Sequence, residues 1–311
     1  MIRRLWRTSP ELVGTAALML PVLAGAVAGL AFDPTVIAGA PAWLKPAKFA
    51  VSIAIYTLTL AWIFTFLPAW PRTRRVIGWA TALTMVLEMG IIGTQAWRGT
   101  TSHFNVSTPA DGIAFGVMGA AIVAQTLSTI AVAVALLRTR FADRSLGWAL
   151  RFGMALTIAG ALTGGLMTRP TAAQLDAARA GAHMTTAGAH TVGGPDGGPG
   201  LPGTGWSTEH GDVRVPHFVG LHALQALAIV ALLLGRAGLR DKVRERLVLV
   251  AAASYAGLFG ILLIQAFRGV PLVAPDSATL VQLTTWAIAT VAAASLAWFT
   301  SVRQPRAITT I

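Results

Sequence analysis

The chain has 311 residues, 55% of them hydrophobic and only 12% charged, with a formal net charge of +12. A soluble domain of this length needs far more charge to cover its surface, so the composition points to a polytopic membrane protein. The basic residues lie in short segments between apolar runs, which is a pattern of membrane topology, and nucleic-acid binding is set aside. Cysteine is absent, which removes disulfides, thiolate metal sites, iron–sulfur clusters and a catalytic cysteine together. Any metal or haem would have to rest on His, Met, carboxylate or amide groups.

Eight apolar segments, each about 20 residues long, are expected to span a bilayer. The first, 11–32, follows "MIRRLWR" and is read as a retained helix rather than a signal peptide, despite the weak cleavage pattern "AGA" at 38–40. The second, 47–68, opens on "KPAKF", with Lys45 and Lys48 at the boundary. The third, 76–97, carries Glu88 about 10 Å below its outer end, then Gln95 on the same face and Arg98 just beyond. A carboxylate at that depth must be protonated, paired or facing a polar cavity. The loop "RGTTSHFN" adds His103 and Asn105. "TPADG" precedes the fourth span, 112–137, and Asp111 is read as its N-cap.

The fifth span, 147–167, leads into an insert at about 168–215. Its start, "TRPTAAQLDAARAGAH", reads as a short amphipathic helix with Asp176, Arg179 and His183. The rest, including His190 and His210, is too rich in Gly and Pro for regular structure. A loop of this length is either a functional lid or disordered. Its Gly run lacks the Lys-Ser/Thr of a phosphate loop, so nucleotide binding is discarded. The sixth span, 216–235, holds His217, His222 and Gln225. On a regular helix His222 and Gln225 share a face, and His217 points about 140° away from His222. The seventh, 247–267, ends with Gln265 and Arg268, and Leu258 stands where Glu88 would fall. The eighth is 278–301, with Asp276 as its N-cap.

"QAWRG" at 95–99 returns as "QAFRG" at 265–269. "KPAKFAVSIAIYTLTLAW" matches "RVPHFVGLHALQALAIVA" at nearly the same offset, and "TPADG" pairs with "APDSA". Three landmarks at nearly one spacing indicate a duplication. The fold expected is therefore all-α, with eight transmembrane helices as two tandem, parallel four-helix repeats. The first is 1–145; the second is 146–311 and holds the insert. With the N-terminus inside, seventeen of the twenty-four Lys and Arg residues fall on inside segments. This places both termini in the cytoplasm of a bacterial inner-membrane protein.

The motifs "KPAKF", "QAWRGTTSHFNVSTPADG" and "GDVRVPHFVGLHALQ" resemble those of a family of bacterial integral membrane proteins to which no activity is assigned. In architecture alone the chain is similar to haem A synthases, which pair histidines on facing helices of two tandem four-helix bundles. Helices 2, 4 and 8 here contain no histidine, so that analogy reaches only the fold.

Glu88, Gln95, Arg98, His103, His217, His222, Gln225, Gln265 and Arg268 all cluster at one depth on the outer side, with Lys48 at the same boundary. Individually the cations could snorkel to headgroups and the amides could bond neighbouring helices. Together they indicate a site. The leading reading is haem b or a divalent ion, copper or zinc, bound by His103, His217 and His222, with redox activity open. The second is a transporter or binder of a small anionic or polar molecule using Arg98 and Arg268. The third is a membrane enzyme acting on a lipid or periplasmic substrate, with His217 or Glu88 as base. The partners expected are the bilayer and a small-molecule ligand, with homo-oligomerisation left open.

Overall fold

The computed structural model describes residues 1–302. Arg303 and Arg306, which enter the orientation argument, lie outside the described residues. The chain is all-α, and helices occupy 71% of it. In chain order the helices are α1 (Ile2–Thr8), α2 (Pro10–Phe32), α3 (Leu44–Phe64), α4 (Pro71–Trp97), α5 (Pro109–Arg138), α6 (Arg144–Met167), α7 (Ala172–Arg179), α8 (Arg214–Leu221), α9 (Ala223–Arg236), α10 (Asp241–Phe267) and α11 (Ser277–Val302). Two antiparallel ladders of two residues each, β1 (Val36–Ile37) with β2 (Ala40–Pro41) and β3 (Thr191–Val192) with β4 (Gly211–Asp212), stitch the loops. Among the described residues seven helices are long and apolar enough to cross a membrane, or eight spans if the bent pair α8–α9 is one.

The helix ends follow from local chemistry. Proline opens α2, α4 and α5, where its missing N–H costs nothing. Asp143 caps α6 by accepting from the Leu146 N–H, and Thr171 with Gln174 forms a reciprocal capping box on α7. Helices α4 and α10 end alike. Gly99 and Gly269 take positive φ angles of 69° and 74°, and their N–H groups reach the carbonyls of Ala96 and Ala266. The next N–H groups, of Thr100 and Val270, return to the carbonyls of Gln95 and Gln265. Each pentapeptide thus encodes one helix terminus closed by a left-handed glycine.

At the end of the molecule away from the insert, one apolar cluster joins residues from both sides of position 145. It includes Leu12, Leu60, Phe64 and Leu136 with Leu150, Leu224, Leu227 and Val248. A smaller cluster, Met19, Ile53, Met85, Met89, Ile92 and Met118, fills the space between α2, α3, α4 and α5.

The expected continuous sixth helix is broken. Helices α8 and α9 meet at His222 with a bend of 42°. The cause is visible in the packing against α6. Gly160 and Gly220 lie so close that a Cβ added to Gly160 would stand 2.5 Å from the Leu221 nitrogen. Carbonyls released at the break find side-chain donors. The Tyr255 hydroxyl donates to the Val219 carbonyl at 2.7 Å, and the Thr157 hydroxyl to that of Leu221 at 3.3 Å. Irregular backbone at membrane depth needs such replacements, because lipid supplies none.

The insert is folded over one end of the helices as a roof. Helix α7 forms where the amphipathic stretch is expected, and Asp176 and Arg179 pair at 2.9 Å on it. Beyond it the chain bonds the loop after α4: the Val106 N–H reaches the Thr185 carbonyl and the Ala187 N–H reaches that of Phe104. The high Gly and Pro content yields little regular structure beyond the β3–β4 ladder, as the composition predicts.

Candidate functional site

Beneath the roof, at the ends of α3, α4, α6 and α8, the polar groups of the two halves come together. Lys45, on the first turn of α3, donates from Nζ to His103 Nδ1 at 2.9 Å, and the Ser102 hydroxyl lies 3.2 Å from the same nitrogen. His103 therefore accepts at Nδ1 and carries its proton on Nε2. Burial first, then the charges of Lys45, His190 and His217, hold the His103 ring well below the ordinary imidazole range. Phe49 and Phe104 flank it, at ring-centroid distances of 6.0 and 6.2 Å.

Phe104 also packs on His190, 4.8 Å between centroids. His190 belongs to the part of the insert whose Gly and Pro content predicts no regular structure. It is instead pinned: its Nδ1 lies 3.0 Å from Asp196 Oδ2, and that carboxylate also accepts from the backbone N–H groups of His190 and Thr191. Burial pushes the Asp196 carboxyl up, but the His190 ring, the His190 N–H and Thr191 outweigh it and hold it below its usual range. His190 itself is lowered by burial, against which Asp196 acts. Nothing in the sequence spacing marks this pair, six residues apart across a Gly-Gly-Pro turn.

His217, on α8, donates from Nδ1 to the Gly160 carbonyl at 2.7 Å, and the Thr163 hydroxyl lies 3.4 Å away. In the neutral ring this leaves Nε2 as a lone pair. His222 sits at the α8–α9 break, its ring 4.3 Å from that of Phe218. The shared face of His222 and Gln225 assumed an unbroken helix, and the break removes that argument. Glu88 is 2% exposed and both its oxygens lack a hydrogen-bond partner; Gln225 Oε1 is likewise enclosed and unpartnered. The charge of Lys45 acts on Glu88, so an electrostatic chain runs from Glu88 through Lys45, His103 and His190 to His217.

The remaining expected residues have structural duties. Arg98 bonds Asp111 at 2.7 Å and Gln95 Oε1 at 2.6 Å, while Gln95 Nε2 donates to Asp111 at 2.8 Å. Asp111 is therefore not the N-cap of α5. Thr108 is, accepting from the Asp111 N–H, and Asp111 at the third position closes the turn and holds Arg98. In the second half Arg268 pairs with Asp276, and Gln265 donates to the Pro271 carbonyl at 2.8 Å. Asp276 does accept from the Thr279 N–H, as a cap should. Arg98 and Arg268 are each neutralised within their own loop, so they do not form the expected pair of anion-binding forks. Lys48 donates to the Thr204 carbonyl at 2.9 Å, tying α3 to the roof. Arg214, its neighbour from α8, is held by Asp212 and the Gly205 carbonyl.

Among the described residues no three His, Asp or Glu side chains come together in a way that could hold a metal ion. The geometry thus adds no support for copper or zinc at His103, His217 and His222. No family model matches the chain, and neither a curated protein nor a solved structure matches it.

Proposed function

We propose that this is a multi-pass protein of a bacterial cytoplasmic membrane whose roofed face binds a small molecule rich in hydrogen-bond donors, an amine or a polyol. One observation carries the reading. Among the candidate site residues the buried polar atoms without a partner are all oxygens, namely both Glu88 oxygens and Gln225 Oε1, and with Glu88 ionised every one of them is an acceptor. The cations Lys45, Lys48, Arg98 and Arg268 are all engaged internally. A buried acceptor left unpaired costs about 1–3 kcal/mol, and a ligand that donates to it recovers that cost. An anionic ligand would meet no free cation and an unpaired carboxylate. Because the Glu88 oxygens are enclosed, access requires the groups packed around Glu88 to move.

The duplication and orientation belong to the same proposal. The matched ends of α4 and α10, each with its Arg–Asp pair, support two copies of a four-span unit. The basic loops opposite the roof, with Arg72, Arg74, Arg75, Arg138, Arg140 and Arg144, support cytoplasmic termini and an extracytoplasmic roof.

A second reading, haem or a metal held in part by His217, is favoured by one feature. His190 and His217 each anchor Nδ1 on a carboxylate or a backbone carbonyl, the arrangement that orients a ligating imidazole. The two readings separate on purified protein in lipid nanodiscs. The first expects no Soret band, no stoichiometric copper or zinc, and thermal stabilisation by amines or polyols but not by carboxylates or phosphate. At a hundred times Kd the gain is about 2.7 kcal/mol. A Soret band, or stabilisation by acids alone, overturns it.

A further inference from the structure

A second site lies at the opposite end of the molecule, independent of the roofed one. Where α5 passes into α6 a cavity of about 300 Å³ is lined by Arg140, Phe141, Arg144, Trp148 and Arg151. We propose that it binds a phosphate-bearing anion, supplied in the membrane by the headgroup of an anionic phospholipid.

The charge balance argues for it. Arg151 is fixed by Nε to the Leu136 carbonyl at 3.1 Å and by its terminal nitrogen to that of Thr139 at 2.8 Å. Its guanidinium also stacks 5.3 Å from the Trp148 ring and 5.5 Å from the Phe141 ring. None of these partners carries negative charge. Among the described residues Arg140 makes no hydrogen bond or ion pair. Arg144 gives one nitrogen to Glu245 at 3.1 Å and stays 73% exposed. That single carboxylate is shared with the Trp148 Nε1–H at 2.9 Å. The other nearby carboxylate, Asp143, is taken by Arg244 and by the Leu146 N–H. Among the described residues the three guanidinium groups are therefore balanced by one carboxylate, Glu245, which bonds only Arg144 and Trp148, leaving a surplus of positive charge that one phosphate group would neutralise.

The geometry suits a headgroup. Arg144 opens α6, so the positive end of that helix dipole adds to the field at the cavity. By capping the last carbonyls of α5, Arg151 masks the negative end of the neighbouring helix. The planar forks match phosphate oxygens, and Phe141 and Trp148 offer an apolar wall of the kind found at the membrane interface. Basic pockets between helices on the cytoplasmic side are a recurrent form of lipid-headgroup recognition.

The test is native mass spectrometry of the full chain in zwitterionic detergent, titrated with phosphatidylglycerol, phosphatidylcholine or inorganic phosphate. Wild type should retain one phosphatidylglycerol about tenfold more tightly than phosphatidylcholine, and R140Q/R144Q should lose that preference. R72Q/R75Q removes the same charge from another loop and should keep it, so a general charge effect is distinguished. R140K/R144K, which keeps charge without the forks, should retain part of the preference and guards against a folding defect. Retention that millimolar phosphate does not displace assigns the site to lipid. Displacement by phosphate, lost in R140Q/R144Q, supports the anion site with a soluble occupant. Equal retention of the two lipids together with no phosphate effect, or unchanged retention in R140Q/R144Q, overturns the proposal.

Discussion

A close backbone approach, between Gly160 and Gly220, accompanies the break in the sixth span and the seating of His217 on the Gly160 carbonyl. Gly160→Ala tests this. The new Cβ would lie 2.5 Å from the Leu221 nitrogen and 2.6 Å from the Gly220 carbonyl carbon, against roughly 3.5 Å for a comfortable contact. Both are backbone atoms, so no side chain can swing away, and α8 must retreat from α6 by roughly 1 Å. Overpacking of this kind costs about 1–3 kcal/mol. The retreat also breaks the bond from His217 Nδ1 to the Gly160 carbonyl, adding about 1 kcal/mol. Gly165, on the same helix, is the control. A Cβ there meets nothing within 4 Å, and because Gly165 lies in the last turn of α6, alanine there gains at most the roughly 0.5–1 kcal/mol of an interior glycine. Unfolding in mixed micelles should place G160A well below wild type and G165A at or above it. Equal stability of the two variants would refute the close-packing argument.

Other consequences follow from single contacts. Tyr255→Phe strands the Val219 carbonyl at the helix break and should destabilise by about 1–3 kcal/mol in the same unfolding assay; a neutral effect would mean that carbonyl has another donor. His103 and His190 are both lowered in the fold, so their contribution is fully present above the unfolded value of about 6.5 and is lost as pH falls below it. Each unit of acidification there costs up to about 1.4 kcal/mol per histidine. Asp196, lowered below its unfolded value, contributes throughout that window and does not offset the loss. Melting temperature should therefore drop from neutral to mildly acidic pH, and H103Q/H190Q should flatten the drop; a rise on acidification contradicts it. Asp196→Ala releases three contacts of the insert, and amide exchange across residues 186–213 should speed up while the helices keep their protection.

Much of the framework was legible because bilayer length and hydropathy act on whole segments. The span positions agree with the helices to within a few residues, apart from the break at His222. That break packs against Gly160, about sixty residues away, and Gly220 alone marks it locally, a signal too weak by itself to break a helix. At the site the residue types were readable but their duties were not. Gln95, Arg98, Gln265 and Arg268 drew attention as intramembrane polar groups, yet the structure spends them on closing helix ends. The sequence leaves Lys45 between a snorkelling cation and a site residue and places His190 in a loop, because the loop closures that bring them to His103 and Asp196 span 58 and 6 residues without periodicity. Glu88 was singled out by cost alone, and it remains without a hydrogen-bond partner.

The account rests on the surplus of acceptors at the roofed face, and Glu88→Gln tests it with a sign. The substitution replaces one acceptor oxygen by an N–H donor and removes the charge. Calorimetric titration of wild type and E88Q in nanodiscs, with a small amine, a polyol, succinate and phosphate, gives the result directly. The account predicts that the amine or polyol binds wild type and weakens about tenfold or more in E88Q, while the acids do not bind wild type. Binding of succinate or phosphate to wild type, tightened by E88Q, would contradict it.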